Sequence, residues 1–359
     1  MTDVKASLIS IIVPAYNSGN SIRRCITSIE GQSVENVEII VVNDGSTDDT
    51  LSVCEEMRRD DSRLKIVNTQ NKGVAAARNK GLSSARGEFV AFVDADDYVA
   101  RNIYGPMLEN MLYNGADICL SNLFIDSDHD TSERIIFSEG KVIKDQPAIT
   151  NLIIIPMLGS STVGGRDMIP GYLFIALYRR EVITKHNLRF DNSLKIGEDL
   201  LFNLQFLRNA QCCALVKHAG YFYQQSKTSA TRGYRTRLWE KCEILHSRRK
   251  SFLTDNNIST LEAERRITCS LVEFALISVE NEISSKATNS MADKLASIKE
   301  ICLAPEVQRA ARVIPTSKTS LLLFVPAFLL RYHFPGRMWM LIGYYILTDS
   351  LRKLKHKHF

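Results

Sequence analysis

The triplet Asp94-Ala95-Asp96 follows directly on the apolar run 89–93. Where a chain is still extended, side chains two apart point the same way, so both carboxylates would share one site. Two such charges repel, and a hard divalent cation is their natural partner. That cation could bridge the diphosphate of a nucleotide and neutralise its charge as it leaves. The same triplet is also a common acidic turn after a strand. Asp44 precedes Gly45, just past the apolar run 37–42. A carboxylate there can accept a hydrogen bond from a base N–H while the glycine lets backbone come close, but NDGST equally suits a turn leading into a helix. Arg78 lies in the alanine-rich stretch 74–85, on the side away from bulk solvent. It could reach a base or a phosphate, or be an ordinary helical arginine. Glu198 and Asp199 precede the helical pattern Leu200, Leu201, Leu204 and Leu207. One of the two carboxylates could take a proton from an attacking hydroxyl. Acidic residues also suit a first helical turn because of the helix dipole.

These residues need a frame that brings them together. Runs 8–13, 37–42, 64–67 and 89–93 are short, apolar and rich in branched side chains, which predicts strands buried on both faces. Between them, Ile22, Cys25, Ile26 and Ile29 recur at helical spacing before Gly31, and Leu51, Cys54 and Met57 recur after the capping candidates Ser46 and Thr47. Repeated β-α-β units predict an α/β fold with an open, mostly parallel sheet and helices on both faces. Ligands of such sheets bind at the carboxyl ends of the strands. Pro14-Ala15-Tyr16-Asn17, Asn43-Asp44-Gly45-Ser46 and Asp94-Ala95-Asp96-Asp97 all fall on that edge.

The rest of the chain is less regular. Residues 126–134 read as a polar loop, and the glycine-bearing SSTVGGRD at 160–167 reads as mobile. From 234 to 312 the signals are helical. The organisation expected is an α/β domain over 1–225, a helical region over 226–318 and an amphipathic tail over 319–359. In that tail, two apolar runs of about ten residues flank RYHFPGR, and the end LRKLKHKHF is basic. Each run is too short to span a bilayer, for which about 20 residues are needed. They suit an interfacial hairpin with cations towards anionic lipid, or two core helices packed on the helical region.

Composition excludes several classes. A chain of 359 residues, 45 % hydrophobic and 24 % charged, is an ordinary packed globular protein rather than a disordered one. A net charge of +5 does not demand nucleic acid, and none is expected as a partner. Eight cysteines without a CxxC pair read as free thiols of a reducing compartment, and the seven histidines show no zinc-ligand spacing. The start is not a signal peptide, so a cytoplasmic location is expected. There is no GxGxxG after the first strand, no GxxxxGK[ST] and no GxSxG, which disfavours dinucleotide oxidoreductases, P-loop NTPases and serine hydrolases.

Five segments in order resemble the family 2 glycosyltransferases of GT-A fold. They are SIIVPAYN (10–17), VNDGSTDDT (42–50), NKGVAAARNKGL (71–82), FVDADD (92–97) and GEDLLF (197–202). The resemblance covers about residues 7–225. It implies that Pro14, Ala15 and Tyr16 border the nucleoside and that Asp44 and Arg78 bind a uracil-type base. It implies that Asp94, beside Ala95, approaches the ribose and metal side, and that Asp96 ligates Mn²⁺ or Mg²⁺. Asp199 would be the general base, with no unusual pKa required, and Glu198 its neighbour near the acceptor. Tyr221, Tyr223, Ser229 and Arg232 match a looser pattern, where a closing loop meets the diphosphate. The implied reaction is an inverting transfer from a UDP-sugar to a hydroxyl of a lipid-linked saccharide acceptor. The implied place is the inner face of the cell membrane, in peripheral contact with anionic lipid, during assembly of surface polysaccharide or lipopolysaccharide. A non-catalytic nucleotide-sugar-binding protein on a degenerate GT-A fold is the alternative. A sugar nucleotidylyltransferase is disfavoured, because Tyr16-Asn17-Ser18 stands where a glycine- and arginine-rich phosphate loop would be needed.

Overall fold

The four branched, apolar runs form β1 (Ile9–Ala15), β2 (Val37–Asp44), β3 (Leu64–Thr69) and β4 (Phe89–Phe92). Between them lie α1 (Gly19–Glu30), α2 (Thr50–Asp60) and α3 (Val74–Ser84). Every position of β1, β2 and β4 is buried, because layers cover both faces of parallel strands. The computed structural model describes residues 8–127, 130–225, 233–284, 286–287 and 289–314, with the isolated positions Leu330, Met340, Gly343 and Tyr344.

The chain continues through β5 (Tyr98–Val99), α4 (Tyr104–Asn114), β6 (Ile118–Ser127), β7 (Thr131–Arg134), β8 (Lys141–Lys144) and α5 (Gln146–Ile149). A π-helical turn over Thr150–Ile154 leads into α6 (Ile155–Met157). Then follow β9 (Ala176–Arg179), α7 (Arg180–Lys185), α8 (Glu198–Asn209) and β10 (Cys212–Gln225). The strands form a sheet in the order β3-β2-β1-β4-β9-β6-β10-β5, with β7 beside β6 and β8 beside β10. Strands β1 to β4 pair in parallel. Strand β9 enters antiparallel between β4 and β6, which leaves β6 and β10 pointing the same way as β4. The sheet is thus mostly parallel, as expected, and residues 126–134 supply the short strand β7 in place of part of a predicted loop.

Two units share the described chain. The first takes the residues up to Ile154 and from Pro170 to Gln225; the second takes 155–169 and the residues from Gly233 onward. A single cut at 225 does not anticipate this excursion. The second unit contains α6, α9 (Leu238–Asp255), α10 (Leu261–Ile283), α11 (Met291–Leu303) and α12 (Pro305–Val313). Helices α9 and α10 hold the excursion through polar side chains. Buried Arg249 donates from Nη1 to the Leu158 carbonyl and to Ser270 Oγ, both at 2.8 Å. Arg266 Nη1 donates to the Gly159 carbonyl at 2.7 Å and its Nη2 pairs with Asp167 at 2.8 Å. The Gly164 N–H donates to Glu273 Oε1 at 2.6 Å. The segment SSTVGGRD is therefore pinned by carboxylate and guanidinium contacts, contrary to the mobile loop its glycines suggested.

All eight cysteines are free and buried. Among the described residues no helix is long and apolar enough to cross a membrane. The amphipathic tail expected over 319–359 lies outside the described residues, apart from the four isolated positions.

Candidate active site

The carboxyl edge of the sheet is organised by two interlocked loops. After β1, Asn17 turns with φ +49°, and its Oδ1 accepts the Thr47 N–H at 2.8 Å. The Ser18 N–H donates to Thr50 Oγ1 at 2.7 Å and the Gly19 N–H to Asp48 Oδ2 at 2.9 Å. Asp48, rather than Ser46 or Thr47, also receives the Thr50 N–H that opens α2. This lock leaves Pro14 and Ala15 buried at the strand end and Tyr16 half-exposed at 51 %. Tyr16 thus offers a ring face beside the strand end.

Asp44 is 3 % exposed and grips the loop that follows β3. Its Oδ1 accepts Thr69 Oγ1–H and the Lys72 N–H, both at 3.0 Å; its Oδ2 accepts the Gly73 N–H at 2.8 Å. Gly45 is required here: at φ +71°, a Cβ would stand 2.8 Å from the Asn71 nitrogen. A carboxylate has about four lone-pair sites, so among the described residues roughly one remains, on Oδ2, for an outside donor.

The acidic run after β4 divides by burial. Ala95 is buried, Asp94 half-buried, Asp96 exposed and Asp97 inaccessible at 0 %. Two acidic side chains therefore face outward and one faces in. Asp97 Oδ1 accepts the Gln224 N–H at 2.7 Å, and Oδ2 accepts the Tyr221 hydroxyl at 2.5 Å. That hydroxyl in turn accepts the Asp94 N–H at 3.1 Å. Burial first, then the charges of Asp94 and Asp96, push the Asp97 carboxyl up to about 8. Arg24 closes the turn from outside, donating to the Asp96 carbonyl at 2.8 Å and to Gln224 Oε1 at 2.9 Å. Asp97 was not singled out from the sequence. The doubled acid of FVDADD was the available signal, and its burial was not readable. Tyr221 is fully buried and stacks on Phe174 at 4.2 Å, so it supports the acidic turn rather than meeting a diphosphate. Tyr223 lies further along β10, 5.8 Å from the Phe174 ring. Ser229 and Arg232 lie outside the described residues.

Helix α8 brings the remaining acids. Gly197, at φ +72°, turns the chain into it, and Glu198 and Asp199 occupy its first turn. Its buried face, Phe202 and Phe206, packs with Phe92, Tyr178 and Phe190, so the helix start is fixed against the end of β4. Arg78, on α3, is only 6 % exposed. Its Nη1 donates to Glu198 Oε1 at 2.7 Å and its Nη2 to Asp94 Oδ1 at 3.0 Å. Burial works against its charge, yet Asp94, Glu198 and Asp199 hold its pKa above the usual arginine value. Asp199 accepts the Leu200 N–H at 2.8 Å. Loss of hydration, then the neighbouring Glu198, raises its carboxyl to about 7, against the partial relief of Arg78. A raised pKa is not required of a base in the resemblance, but the surroundings of Asp199 impose one. The structure therefore gathers Arg78, Asp94, Glu198 and Asp199 in one hydrogen-bonded and charge-coupled group. It gives Arg78 protein carboxylates as partners, where the resemblance assigned it a base.

Half-buried Asp94 and exposed Asp96 fit a divalent cation. A small hard cation is usually held by one or two carboxylates plus substrate phosphates and water, not by a complete protein cage. Among the described residues no three His, Cys, Asp or Glu side chains converge as such a cage. Asp96 is also pushed above its ordinary value, by lost hydration and then by Asp94, which is the repulsion a cation would relieve.

Residues 10–183 match the family described as Glycosyl transferase family 2. The putative glycosyltransferase EpsH of Bacillus subtilis is 29 % identical over 304 residues, covering 84 % of this chain and 85 % of that protein. The succinoglycan biosynthesis protein ExoO of Rhizobium meliloti is 31 % identical over 225 residues, covering 62 % of each. Among solved structures, S. aureus TarS 1-349 in complex with UDP-GlcNAc superposes with a TM-score of 0.61 at 21 % identity, covering 96 % of this chain and 91 % of that one. That likeness confirms the GT-A-like architecture expected from the motifs. With the motifs gathered at the carboxyl edge of the sheet, residues 10–183 form a glycosyl transferase family 2 domain, and the chain that carries it is a glycosyltransferase.

Proposed function

We propose that the enzyme transfers a sugar, with inversion, from a UDP-sugar to a hydroxyl of a saccharide acceptor during assembly of a cell-surface polysaccharide. The observation that carries this reading is Asp199. It is a carboxyl raised to about 7, at the start of a helix fixed beside Asp94, in a domain of glycosyltransferase family 2. A base poised near working pH combines a large ionised fraction with enough basicity to accept a proton. The acceptor O–H gives its proton to Asp199 while the oxygen forms a bond to the anomeric carbon. The bond from that carbon to the diphosphate breaks on the opposite face, and UDP departs with the electron pair. An α-linked donor gives a β-glycoside. Asp94 and Asp96 would hold Mn²⁺ or Mg²⁺, which would neutralise charge on the departing diphosphate. Pro14, Ala15 and Tyr16 border the nucleoside, and the remaining acceptor site of Asp44 receives a base N–H. Glu198 stands between the base and Arg78, near the acceptor.

Relatives named for succinoglycan and minor teichoic acid biosynthesis support the polysaccharide context. The UDP and UDP-GlcNAc complexes of TarS support a uridine donor. A lipid-linked acceptor at the inner face of the membrane, met through a basic tail, completes the proposal. The test is thermal stabilisation by UDP, GDP and dTDP, each with Mn²⁺ and with chelator. A ligand at a hundred times its Kd adds about 2.7 kcal/mol of stability. A metal-dependent shift with UDP alone is the expected result. No shift with any nucleotide would sink the donor assignment and favour a non-catalytic member of the fold.

A further inference from the structure

We infer that Arg78 is a positioning residue: its buried guanidinium ties Glu198, and with it the helix turn that carries Asp199, to Asp94 on the donor side. The inference rests on the reading of Asp199 as the base and goes beyond it. It states what sets the base relative to the donor carboxylates.

Four features of the structure support it. First, the contacts span 16 and 120 residues of chain and meet on one side chain, at 3.0 Å to Asp94 and 2.7 Å to Glu198. Asp94 lies two residues past β4 and Glu198 opens α8, so one planar fork joins the turn after β4 to the helix that carries the base. Arginine suits this because its donors are held in a rigid plane, whereas lysine presents a single point charge. Second, the N-cap residue of α8 is Gly197, which has no side chain to cap the helix, and within the first turn Asp199 accepts only the Leu200 N–H. A helix start normally relies on a side chain to fix its free N–H groups. Here the lateral tie from Glu198 to Arg78 adds a polar restraint on that turn from another element.

Third, the fold is arranged to bring the guanidinium to this point. Gly81 lies three residues after Arg78 in α3, and a Cβ there would stand 2.3 Å from Ile12 Cγ2. The helix therefore lies directly on β1 through a bare backbone, and the neighbouring Arg78 is sunk to 6 % exposure. The Phe190 ring stands 5.7 Å from the guanidinium and packs in turn on Phe202 of α8 at 4.2 Å. Fourth, Arg78 Nε is buried with no hydrogen-bond partner among the described residues. Leaving a buried donor unpaired is unfavourable, because its hydration is lost without replacement. Its persistence means the Nη contacts dictate where the guanidinium sits, at the expense of its third edge.

A nucleotide-binding arginine and a positioning arginine differ in steady-state kinetics. Losing uniform donor binding raises KM with kcat unchanged, whereas misplacing the base lowers kcat. A displacement of about 1 Å at a reacting centre can cost about 100-fold. The experiment compares Arg78→Lys, Glu198→Ala and the double variant, measuring kcat, KM for the donor sugar, UDP affinity and melting temperature. We expect Arg78→Lys and Glu198→Ala each to lower kcat about 10- to 100-fold, with KM and UDP affinity within about threefold. The double variant should lose no more than the worse single, because both remove the same tie. A raised KM and weakened UDP binding in Arg78→Lys, with kcat retained, would overturn the inference. So would multiplicative losses in the double variant. Should Arg78→Lys fail to fold, Glu198→Ala decides alone: kcat at the wild-type level refutes the tie. Asp199→Asn is run in parallel, and full transfer by that variant would refute the base reading instead.

Discussion

Replacing Asp199 by Asn should abolish transfer and yet make the protein more stable. Its carboxyl is raised from 3.8 to about 7 in the folded chain, so folding favours the protonated form. For a carboxyl raised in this way, stability is fully present below the unfolded value near 3.8. It is lost progressively as pH climbs to the folded value, and the deficit is constant above that. At about 1.4 kcal/mol per pH unit, the gap amounts to about 4 kcal/mol at pH 8, an upper bound because the carboxyl is not fully shut off from water. Asn keeps the shape and the oxygen that accepts the Leu200 N–H, but cannot ionise. The assay is a melting curve of both proteins between pH 4 and 8.5. The variant should melt close to wild type at pH 4, increasingly above it up to pH 7, and by a constant margin beyond. For a chain of this size each kcal/mol moves Tm by about 2–4 °C, so even a quarter of the effect is measurable. A variant that melts at or below wild type at pH 8, or by a margin independent of pH, would refute the electrostatic account of this base.

Two further outcomes are expected. Asp96→Ala should leave metal-free UDP binding unchanged and remove the added stabilisation given by Mn²⁺; a wild-type metal response in a UDP titration would place the cation elsewhere. Glu38→Gln tests the opposite edge of the sheet, where buried Glu38 accepts Ser10 Oγ–H and the Arg86 and Gly87 N–H groups and pairs with Lys65. Those bonds outweigh burial and hold its carboxyl down to about 2 from 4.5. That stability is present above pH 4.5 and lost as pH falls towards 2. The substitution should therefore cost about 2–3 kcal/mol in urea unfolding at pH 7, with the difference from wild type shrinking by pH 3.

What could be read from the sequence was what local spacing encodes. Strands β1 to β4 fall within two residues of their apolar runs, because a strand buried on both faces needs branched side chains at every position. Asp44, Asp94 and Asp96 were visible for the same reason: polar residues directly after such runs must sit at the carboxyl edge. Contacts closed over long distances were hidden. Nothing near Arg78 announces Glu198, 120 residues on, so its role was assigned to a ligand instead of to two carboxylates. Asp97 and Asp96 are adjacent and chemically alike, yet one is buried under Tyr221 and the other faces solvent. Only the pairing of β10 with β5 decides which. The glycines of SSTVGGRD were read as freedom, when Arg266, through Asp167, and Glu273, through Gly164, constrain that stretch.

That stretch has a consequence for the order in which the protein is made. Residues 155–169 leave the ribosome well before the helices that hold them: Gly159 precedes Arg266 by 107 residues and Ser161 precedes Cys269 by 108. At about 5–20 residues per second, synthesis of that interval takes roughly 5–20 s. Meanwhile β9 and β10, which come after the stretch, can pair with β4 and β6 and complete the sheet. Ile155, Met157, Leu158 and Val163, all buried in the finished protein, must spend that time without their partners on α9 and α10. The nascent transferase therefore passes through a stage with its sheet complete and one apolar strap uncovered. A pause in translation between about residues 225 and 265 prolongs that stage, and it is the interval in which a chaperone has the most surface to hold.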